Sequence, residues 1–120
     1  MPGRHILVVD DHVDTLEVLS RLLKSLGYAV KNATSVQEAL EHASANSFDL
    51  LISDLTLPDG NGADLARQIC SSRRIPAIAL SGFNPGDDDK NDADSEFKAR
   101  LVKPVDFQVL QATIQKLLPG

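Results

Sequence analysis

Short apolar blocks alternate along the chain with stretches in which apolar residues recur every three or four positions. The blocks are rich in Val, Ile, Leu and Ala, and they are Ile6–Val9, Tyr28–Val30, Leu50–Ile52, Ala77–Leu80 and Leu101–Val102. Short uninterrupted blocks of this kind predict buried strands. Because polar residues do not alternate with the apolar ones, we expect both faces of each strand to be covered, as in a parallel sheet.

Stretches with helical periodicity lie between or after these strands, within residues 16–26, 36–43, 65–69 and 110–117. Ser35, followed three residues later by Glu38, is typical of a helix N-terminus, and Gly27 is typical of the position after a helix ends. Successive strands begin about 24 residues apart, which suits right-handed βαβ connections. The pattern predicts an α/β fold with one doubly wound domain over residues 1–120, built from a five-stranded parallel sheet and flanking helices.

One segment departs from this pattern. Residues 84–95 lie where a fourth helix belongs, yet Pro85 and Ala93 carry their only apolar side chains. A helix here has no apolar stripe to pack against the sheet, and neighbouring aspartates repel one another. We therefore expect the fourth helix to be frayed or absent.

Composition and charge narrow the range of functions. Twelve basic against 17 acidic residues give a net charge of −5, which disfavours direct binding to nucleic acid. Cys70 is the only cysteine, so an internal disulfide is excluded and a reducing compartment is expected. The sequence has no apolar run long enough to span a membrane, and its first residues lack the features of a signal peptide. We expect a cytoplasmic protein without membrane insertion.

Polar residues follow the predicted strands at their carboxyl ends. Asp10 and Asp11 follow the first strand, Asp54 the third, Ser81 the fourth and Lys103 the fifth. Ligands of open α/β sheets bind at this edge, so we expect these side chains to meet in one cleft. Carboxylates gathered in a cleft repel one another unless a cation neutralises them. Mg²⁺ prefers oxygen ligands and keeps waters that a phosphate can displace, so it is the predicted cofactor.

The expected cluster contains the groups needed to transfer a phosphoryl group to a carboxylate. With Mg²⁺ bound, Asp54 stays an anionic nucleophile while the metal screens the charge of the incoming phosphoryl group. Ser81 is expected to donate a hydrogen bond to the phosphoryl oxygens, and Lys103 is expected to contact them as a point charge. The residues alone thus indicate phosphoryl transfer to Asp54.

Each residue also has a simpler explanation when it is considered alone. Asp10 and Asp11 suit the cap of the following helix, and Ser81 suits a turn. We interpret His12 as a solvated residue of the first helical turn, with transition-metal ligation as the less favoured alternative. Asp54 is harder to explain in this way, because an uncompensated carboxylate at the end of a buried strand is costly. The cluster as a whole therefore favours the functional interpretation.

Four short motifs occur at the strand ends in chain order, and they are VVDDH, DLTLPDG, LSG and LVKP. With these motifs the sequence resembles the CheY-like receiver domains of two-component response regulators over essentially the whole chain. The segments LLISDLTLPDGNG and LVKPVDFQVLQATI are similar to the receivers of hybrid sensor histidine kinases. The resemblance implies a phosphorelay signalling domain that assists only its own aspartyl phosphorylation and dephosphorylation, rather than an enzyme with a free substrate.

The resemblance also implies a role for each residue of the cluster. Asp54 is the expected phosphoacceptor, and the expected donor is the phosphohistidine of a histidine kinase or of a histidine phosphotransfer domain. Ser81 and Lys103 are the expected catalytic partners of Asp54. The expected Mg²⁺ ligands are carboxylates and one backbone carbonyl, from Asp10, Asp11, Asp54 and Thr56. Phosphorylation-dependent homodimerisation is a further expectation.

Two features depart from the family pattern. Arg100 stands three residues before Lys103, where family members usually carry Tyr, Phe or His, and the acidic run Asp87–Asp94 replaces the fourth helix. Both lie on the face that receivers commonly use for output and dimerisation. A phosphorylation-independent interaction domain with the same fold therefore stays open as the alternative. An aspartate-nucleophile phosphatase is disfavoured, because such enzymes need an acid two residues after the nucleophile, where this chain has Thr56.

Overall fold

The computed structural model describes residues 4–73, 75–81, 97–103 and 105–118, and a sheet of five parallel strands lies at its centre. In chain order the strands of the protein are β1 (His5–Val9), β2 (Ala29–Ala33), β3 (Leu50–Asp54), β4 (Thr56–Leu57), β5 (Gly60–Asn61), β6 (Ala77–Ser81) and β7 (Phe97–Val102). The main sheet has the order β2-β1-β3-β6-β7, while β4 and β5 form a separate antiparallel ribbon. This order and the parallel pairing confirm the doubly wound α/β fold.

Helices connect the strands and cover the sheet. They are α1 (Val13–Ser25), α2 (Val36–Ala45), α3 (Gly62–Arg73) and α4 (Phe107–Leu117). Each coincides with one of the stretches that have helical periodicity. The expectation of a frayed or absent helix over residues 84–95 concerns a segment outside the described residues. Within the described ranges, no helix has the length and apolar character needed to cross a membrane.

The sheet is covered on both faces because its strands send alternate side chains to opposite sides. In β1, Leu7 and Val9 join a buried cluster with residues of α2 and α3, whereas Ile6 and Val8 join a second cluster with residues of α1 and α4. All four side chains are completely buried. Burial of each aliphatic side chain contributes about 1.5–3 kcal/mol, so these two clusters hold the central strands in place.

The helix ends follow the sequence signals. Ser35 Oγ accepts a hydrogen bond from the Glu38 backbone N–H (3.1 Å), and Glu38 Oε1 in turn accepts one from the Thr34 backbone N–H (2.6 Å). Gly27 follows the end of α1 with a φ of +98°, a conformation that glycine adopts without strain. Asp106 Oδ1 accepts hydrogen bonds from the backbone N–H groups of Gln108 and Val109 at the start of α4.

Two local features differ from the apolar pattern. β7 begins at Phe97, four residues before the apolar block that predicts it. The pattern does not indicate these four residues because β7 is an edge strand, which is only partly covered and whose sequence mixes polar and apolar residues. The β4–β5 ribbon has no counterpart in the pattern, since strands of two residues are too short to show any period.

Replacement of Asp106 by Ala is expected to lower the free energy of unfolding by about 1 kcal/mol, because two backbone N–H groups at the start of α4 lose their acceptor. Urea unfolding followed by circular dichroism measures the change. Gln115→Ala, at an exposed position of the same helix, serves as the control and is expected to leave the midpoint unchanged. An equal effect of the two substitutions contradicts the capping role.

Candidate functional site

The parallel register aligns the carboxyl ends of the strands at one edge of the sheet. Val9 pairs with Ser53, so Asp10 and Asp54, the residues that follow them, lie side by side. Asp10 is completely buried and Asp54 is 7% exposed, whereas the side chain of Asp11 is 41% exposed. The edge thus carries two buried carboxylates and a third that is open to solvent.

Lys103 joins these carboxylates from the end of β7. Its Nζ lies 2.7 Å from Asp10 Oδ2 and 3.1 Å from Asp54 Oδ2. The backbone N–H of Lys103 donates a hydrogen bond to the carbonyl of Ser81 (2.8 Å), which fixes the start of the side chain beside β6. Three strands therefore contribute to one ion triad, and the expectation that Asp10, Asp54 and Lys103 meet agrees with this geometry.

The contacts in the triad shift the pKa of Asp10 and the pKa of Lys103. Burial disfavours the charged form of Asp10, but the contact with Lys103 and hydrogen bonds from the His12 backbone N–H and ring outweigh it and lower the pKa of Asp10. Burial likewise disfavours the charged form of Lys103, but Asp10 and Asp54 outweigh it and raise the pKa of the ammonium. Both groups therefore stay ionised around neutral pH.

His12 adds a contact that the sequence interpretation missed. Its Nδ1 lies 3.0 Å from Asp10 Oδ1 and 3.3 Å from Asp11 Oδ1, and its backbone N–H donates to Asp10 Oδ1 at 2.9 Å. The imidazole therefore turns towards the acid pair, although 66% of its side chain is exposed. Its position directly after two aspartates was the available signal.

The connection after Asp54 folds back closely over the end of β3. Thr56 pairs with Asn61 in the ribbon, and the Thr56 backbone N–H points towards Asp54 Oδ1 at 3.5 Å. A Cβ on Gly62 would collide with the Asp54 carbonyl oxygen, so only glycine fits at this position. The close approach keeps Thr56, the expected source of a carbonyl ligand, next to the carboxylate cluster.

Asp59 ties the same connection to α2. Its Oδ1 accepts a hydrogen bond from the Val36 backbone N–H (2.7 Å), and its Oδ2 accepts one from the Gln37 backbone N–H (3.1 Å). These two hydrogen bonds lower the pKa of Asp59. The residue caps a helix that is distant in sequence, a contact that no local sequence signal indicates.

Ser81 is the last residue of β6 and pairs with Val102. It is half-buried, and within the described part of the chain no hydrogen bond joins its hydroxyl to the carboxylates. Arg100 lies in β7, pairs with Ala79 of β6 and is also half-buried. The acidic run Asp87–Asp94 lies outside the described residues. Of the expected site residues, Ser81 therefore lies at the correct edge and contacts Lys103 through its backbone carbonyl, while among the described residues its hydroxyl makes no hydrogen bond to the triad.

The donor set fits a divalent cation. Side-chain oxygen or nitrogen atoms of Asp10, Asp11, His12 and Asp54 all lie within 4.8 Å of one another. Asp10 Oδ2 is buried without an aligned hydrogen bond from any described residue, although the Lys103 ammonium is an ion-pair distance away. Lys103 is therefore the cationic partner of this oxygen, and the other carboxylate oxygens of the cluster are the oxygen ligands that a divalent cation prefers.

The sequence and the structure both match known proteins. The chain belongs to the response regulator receiver domain family, whose pattern covers residues 6–115. It is therefore a receiver domain of the kind found in two-component signalling systems. Over 114 residues it is 32% identical to the transcriptional regulatory protein ZraR of Escherichia coli K12, which covers 94% of this chain. The chain spans about a quarter (26%) of the length of that relative.

Solved structures share both the fold and its extent. A two-component response regulator from Clostridium difficile is 25% identical, with a TM-score of 0.89 over 97% of this chain and 96% of the other. The receiver domain of a sensor histidine kinase from Pseudomonas aeruginosa PAO1 is 29% identical, with a TM-score of 0.87 over 98% and 99% of the two chains. That structure has a magnesium ion coordinated in its active-site cleft.

Replacement of Gly62 by Ala is expected to lower the free energy of unfolding by more than about 1 kcal/mol, because the added methyl group meets backbone rather than a movable side chain. Urea unfolding measures the loss, and amide NMR shifts of residues 53–57 report whether the end of β3 moves. Gly60→Ala is the matched control, since its Cβ would lie 3.1 Å from a methyl group of Val36 that can give way. The close-packing explanation fails if Gly60→Ala is the more damaging substitution.

The ion triad predicts a stability profile that falls at both ends of the pH range. The pKa of Asp10 is lowered in the fold, so its contribution is present above the ordinary value of 3.8 and is lost as pH falls through the folded value. The pKa of Lys103 is raised in the fold, so its contribution is present below 10.5 and is lost as pH rises through the folded value. Lys103→Met is expected to remove the alkaline loss and to make the acid loss smaller, because without the ammonium the pKa of Asp10 in the fold moves back up towards 3.8.

Urea midpoints measured across this pH range test the profile. Lys116→Met, at an exposed position of α4, is the control and should keep the profile of the unmodified protein. The same pH profile for Lys103→Met and Lys116→Met contradicts the proposed coupling of the triad.

Proposed function

We propose that the chain is a phosphoacceptor in two-component or phosphorelay signalling and that Asp54 carries the phosphoryl group. The observation that supports this most directly is the contact of Lys103 Nζ with both Asp10 Oδ2 and Asp54 Oδ2 at the edge of the sheet where ligands bind. A structural ion pair explains one such contact. It does not explain why a third carboxylate and a histidine also converge on the same point.

In the proposed reaction a carboxylate oxygen of Asp54 attacks the phosphorus of a phosphohistidine on a histidine kinase or a histidine phosphotransfer domain. The new P–O bond forms as the P–N bond breaks, and the electron pair of that bond returns to the donor imidazole, which takes up a proton. Lys103 neutralises charge on the phosphoryl oxygens. Ser81, at the end of β6, donates a hydrogen bond from its hydroxyl to the same oxygens once the phosphoryl group is present.

Mg²⁺ is the proposed cofactor, and when bound it supplies positive charge that offsets the charge of the phosphoryl group. Its proposed ligands are oxygens from Asp10, Asp11, Asp54 and the backbone carbonyl of Thr56. Before phosphorylation the Lys103 ammonium lies between Asp10 and Asp54, and its contact with Asp10 lowers the pKa of that carboxyl group. The magnesium ion in the active-site cleft of the similar Pseudomonas receiver supports this assignment.

The proposal also includes the extent of the domain, its location, its activity and its oligomeric state. Residues 1–120 form one receiver domain that acts in the cytoplasm, without direct nucleic-acid contact and without membrane insertion. The chain accelerates only its own phosphorylation and dephosphorylation, so it is not an enzyme with a free substrate. Phosphorylation-dependent homodimerisation is part of the proposal.

Asp54→Asn tests the proposal directly. The unmodified protein is expected to gain the mass of one phosphoryl group when it is incubated with acetyl phosphate and Mg²⁺, and Asp54→Asn is expected to gain none. The matched control is Asp64→Asn, at an exposed aspartate of α3 that pairs with Arg67 outside the cluster. Intact-mass spectrometry measures the adduct. An adduct on Asp54→Asn equal to that of the unmodified protein overturns the assignment of the acceptor.

A phosphorylation-independent interaction domain is the second candidate, and Arg100 in β7, in place of the aromatic residue or histidine expected from the resemblance, is the observation that favours it. Amide NMR spectra recorded with and without beryllofluoride and Mg²⁺ separate the two. Shifts that spread from Asp54 to β7 are expected for a phosphorylation switch. Spectra that do not change favour the interaction domain.

A further inference from the structure

His12 gives the carboxylate cluster a nitrogen donor that neither the proposed phosphoryl transfer nor the proposed magnesium ligands use. We propose that the His12 imidazole is an additional metal ligand and makes this site bind a first-row transition ion such as Zn²⁺ more tightly than an oxygen-only site would. The proposal rests on the metal site of the proposed function and specifies which class of ion it accepts.

The distances place the imidazole nitrogen at ligand spacing. His12 Nδ1 lies 3.0 Å from Asp10 Oδ1 and 3.3 Å from Asp11 Oδ1. Two neighbouring ligands that each bind an ion at about 2.1 Å lie about 3 Å apart in octahedral geometry. The same nitrogen also belongs to the group of four donor atoms that lie within 4.8 Å of one another.

The role of His12 in its helix does not account for this orientation. His12 is the N-cap residue of α1, a position where Ser, Thr, Asp or Asn commonly accepts a hydrogen bond from the first turn. Its side chain makes no such capping hydrogen bond. Instead its backbone N–H donates to Asp10 Oδ1 at 2.9 Å and its Nδ1 lies at hydrogen-bond distance from the same oxygen (3.0 Å), so both contacts hold the imidazole beside the acid pair.

A second observation points to a cation in the same place. Asp10 is completely buried, and the Lys103 ammonium lies 2.7 Å from its Oδ2 as an ion-pair partner. Its Oδ1 is the atom that the imidazole approaches. Asp10 can therefore offer Oδ1 to a metal ion on the His12 side while Oδ2 keeps its ion pair with Lys103.

The identity of the donors determines the class of ion. Mg²⁺ prefers an oxygen environment and gains little from imidazole, whereas affinity for nitrogen donors rises along the first transition row and is high for Zn²⁺. Without a metal ion the Nδ1–H of the ring donates to Asp10 Oδ1, and coordination through Nδ1 requires that the ring proton lie on Nε2 instead, as it does in the other neutral tautomer. The ring is 66% exposed, so it can adjust its position without disturbing the buried core.

Calorimetric titration of the untagged protein with ZnCl₂ and separately with MgCl₂ tests the proposal. His12→Asn keeps a polar side chain of similar size but removes the imidazole. It is expected to weaken Zn²⁺ binding by at least about tenfold and to change Mg²⁺ binding by less than about threefold. The matched control is His5→Asn, because His5 is exposed at the opposite, amino end of β1 and should leave both affinities unchanged.

Imidazole ¹⁵N NMR of the unmodified protein gives a second readout that does not depend on phosphorylation. Zn²⁺ is expected to shift the Nδ1 signal of His12, while the signals of His5 and His42 stay in place. Equal Zn²⁺ affinity of His12→Asn and the unmodified protein overturns the proposal, as does a Zn²⁺ shift confined to His5 or His42. Absence of Mg²⁺ binding to the unmodified protein instead counts against the metal site of the proposed function, so the two failures are distinguishable.

Discussion

The ammonium of Lys103 between the carboxylates of Asp10 and Asp54 is the interaction on which the arrangement of this site depends. Two acids at neighbouring strand ends repel one another, and burial makes the repulsion stronger. One cation within 2.7 Å and 3.1 Å of the two carboxylates offsets it and links β1, β3 and β7 through side chains. A buried cluster of this kind is costly to leave incomplete, so the three residues act as one unit.

The cluster carries more negative than positive charge. Its three carboxylates outnumber the single ammonium, and His12 adds at most one further positive charge. The pocket is therefore anionic overall and attracts divalent cations from solution. An approaching phosphoryl group is itself anionic, so the same excess repels it unless a cation is already present. In electrostatic terms, the proposed phosphoryl transfer therefore requires that the proposed metal ion bind first.

The fold was largely predictable from the sequence, because parallel strands buried on both faces leave short apolar blocks and the helices leave periodic stripes. The convergence of Asp10, Asp54 and Lys103 was also predictable, since each directly follows a strand and parallel strands end at the same edge. The contacts of Asp59 with the first turn of α2 were not, because they join positions more than 20 residues apart through side-chain rotamers. The orientation of His12 depends in the same way on one rotamer, so adjacency alone left it ambiguous.

The connection from β3 to α3 is held at two points along its length. Gly62 lies against the Asp54 carbonyl at one of them, and Asp59 is bound to the backbone of α2 at the other. Surface connections in most proteins accept inserted residues readily, because nothing fixes their path. Because this connection is fixed at both points, one additional residue between Leu57 and Gly62 would break one of the two contacts. Either Asp59 would lose its hydrogen bonds to α2, or Gly62 would move away from the end of β3. Its length is as constrained as that of a core element, even though much of it is exposed to water.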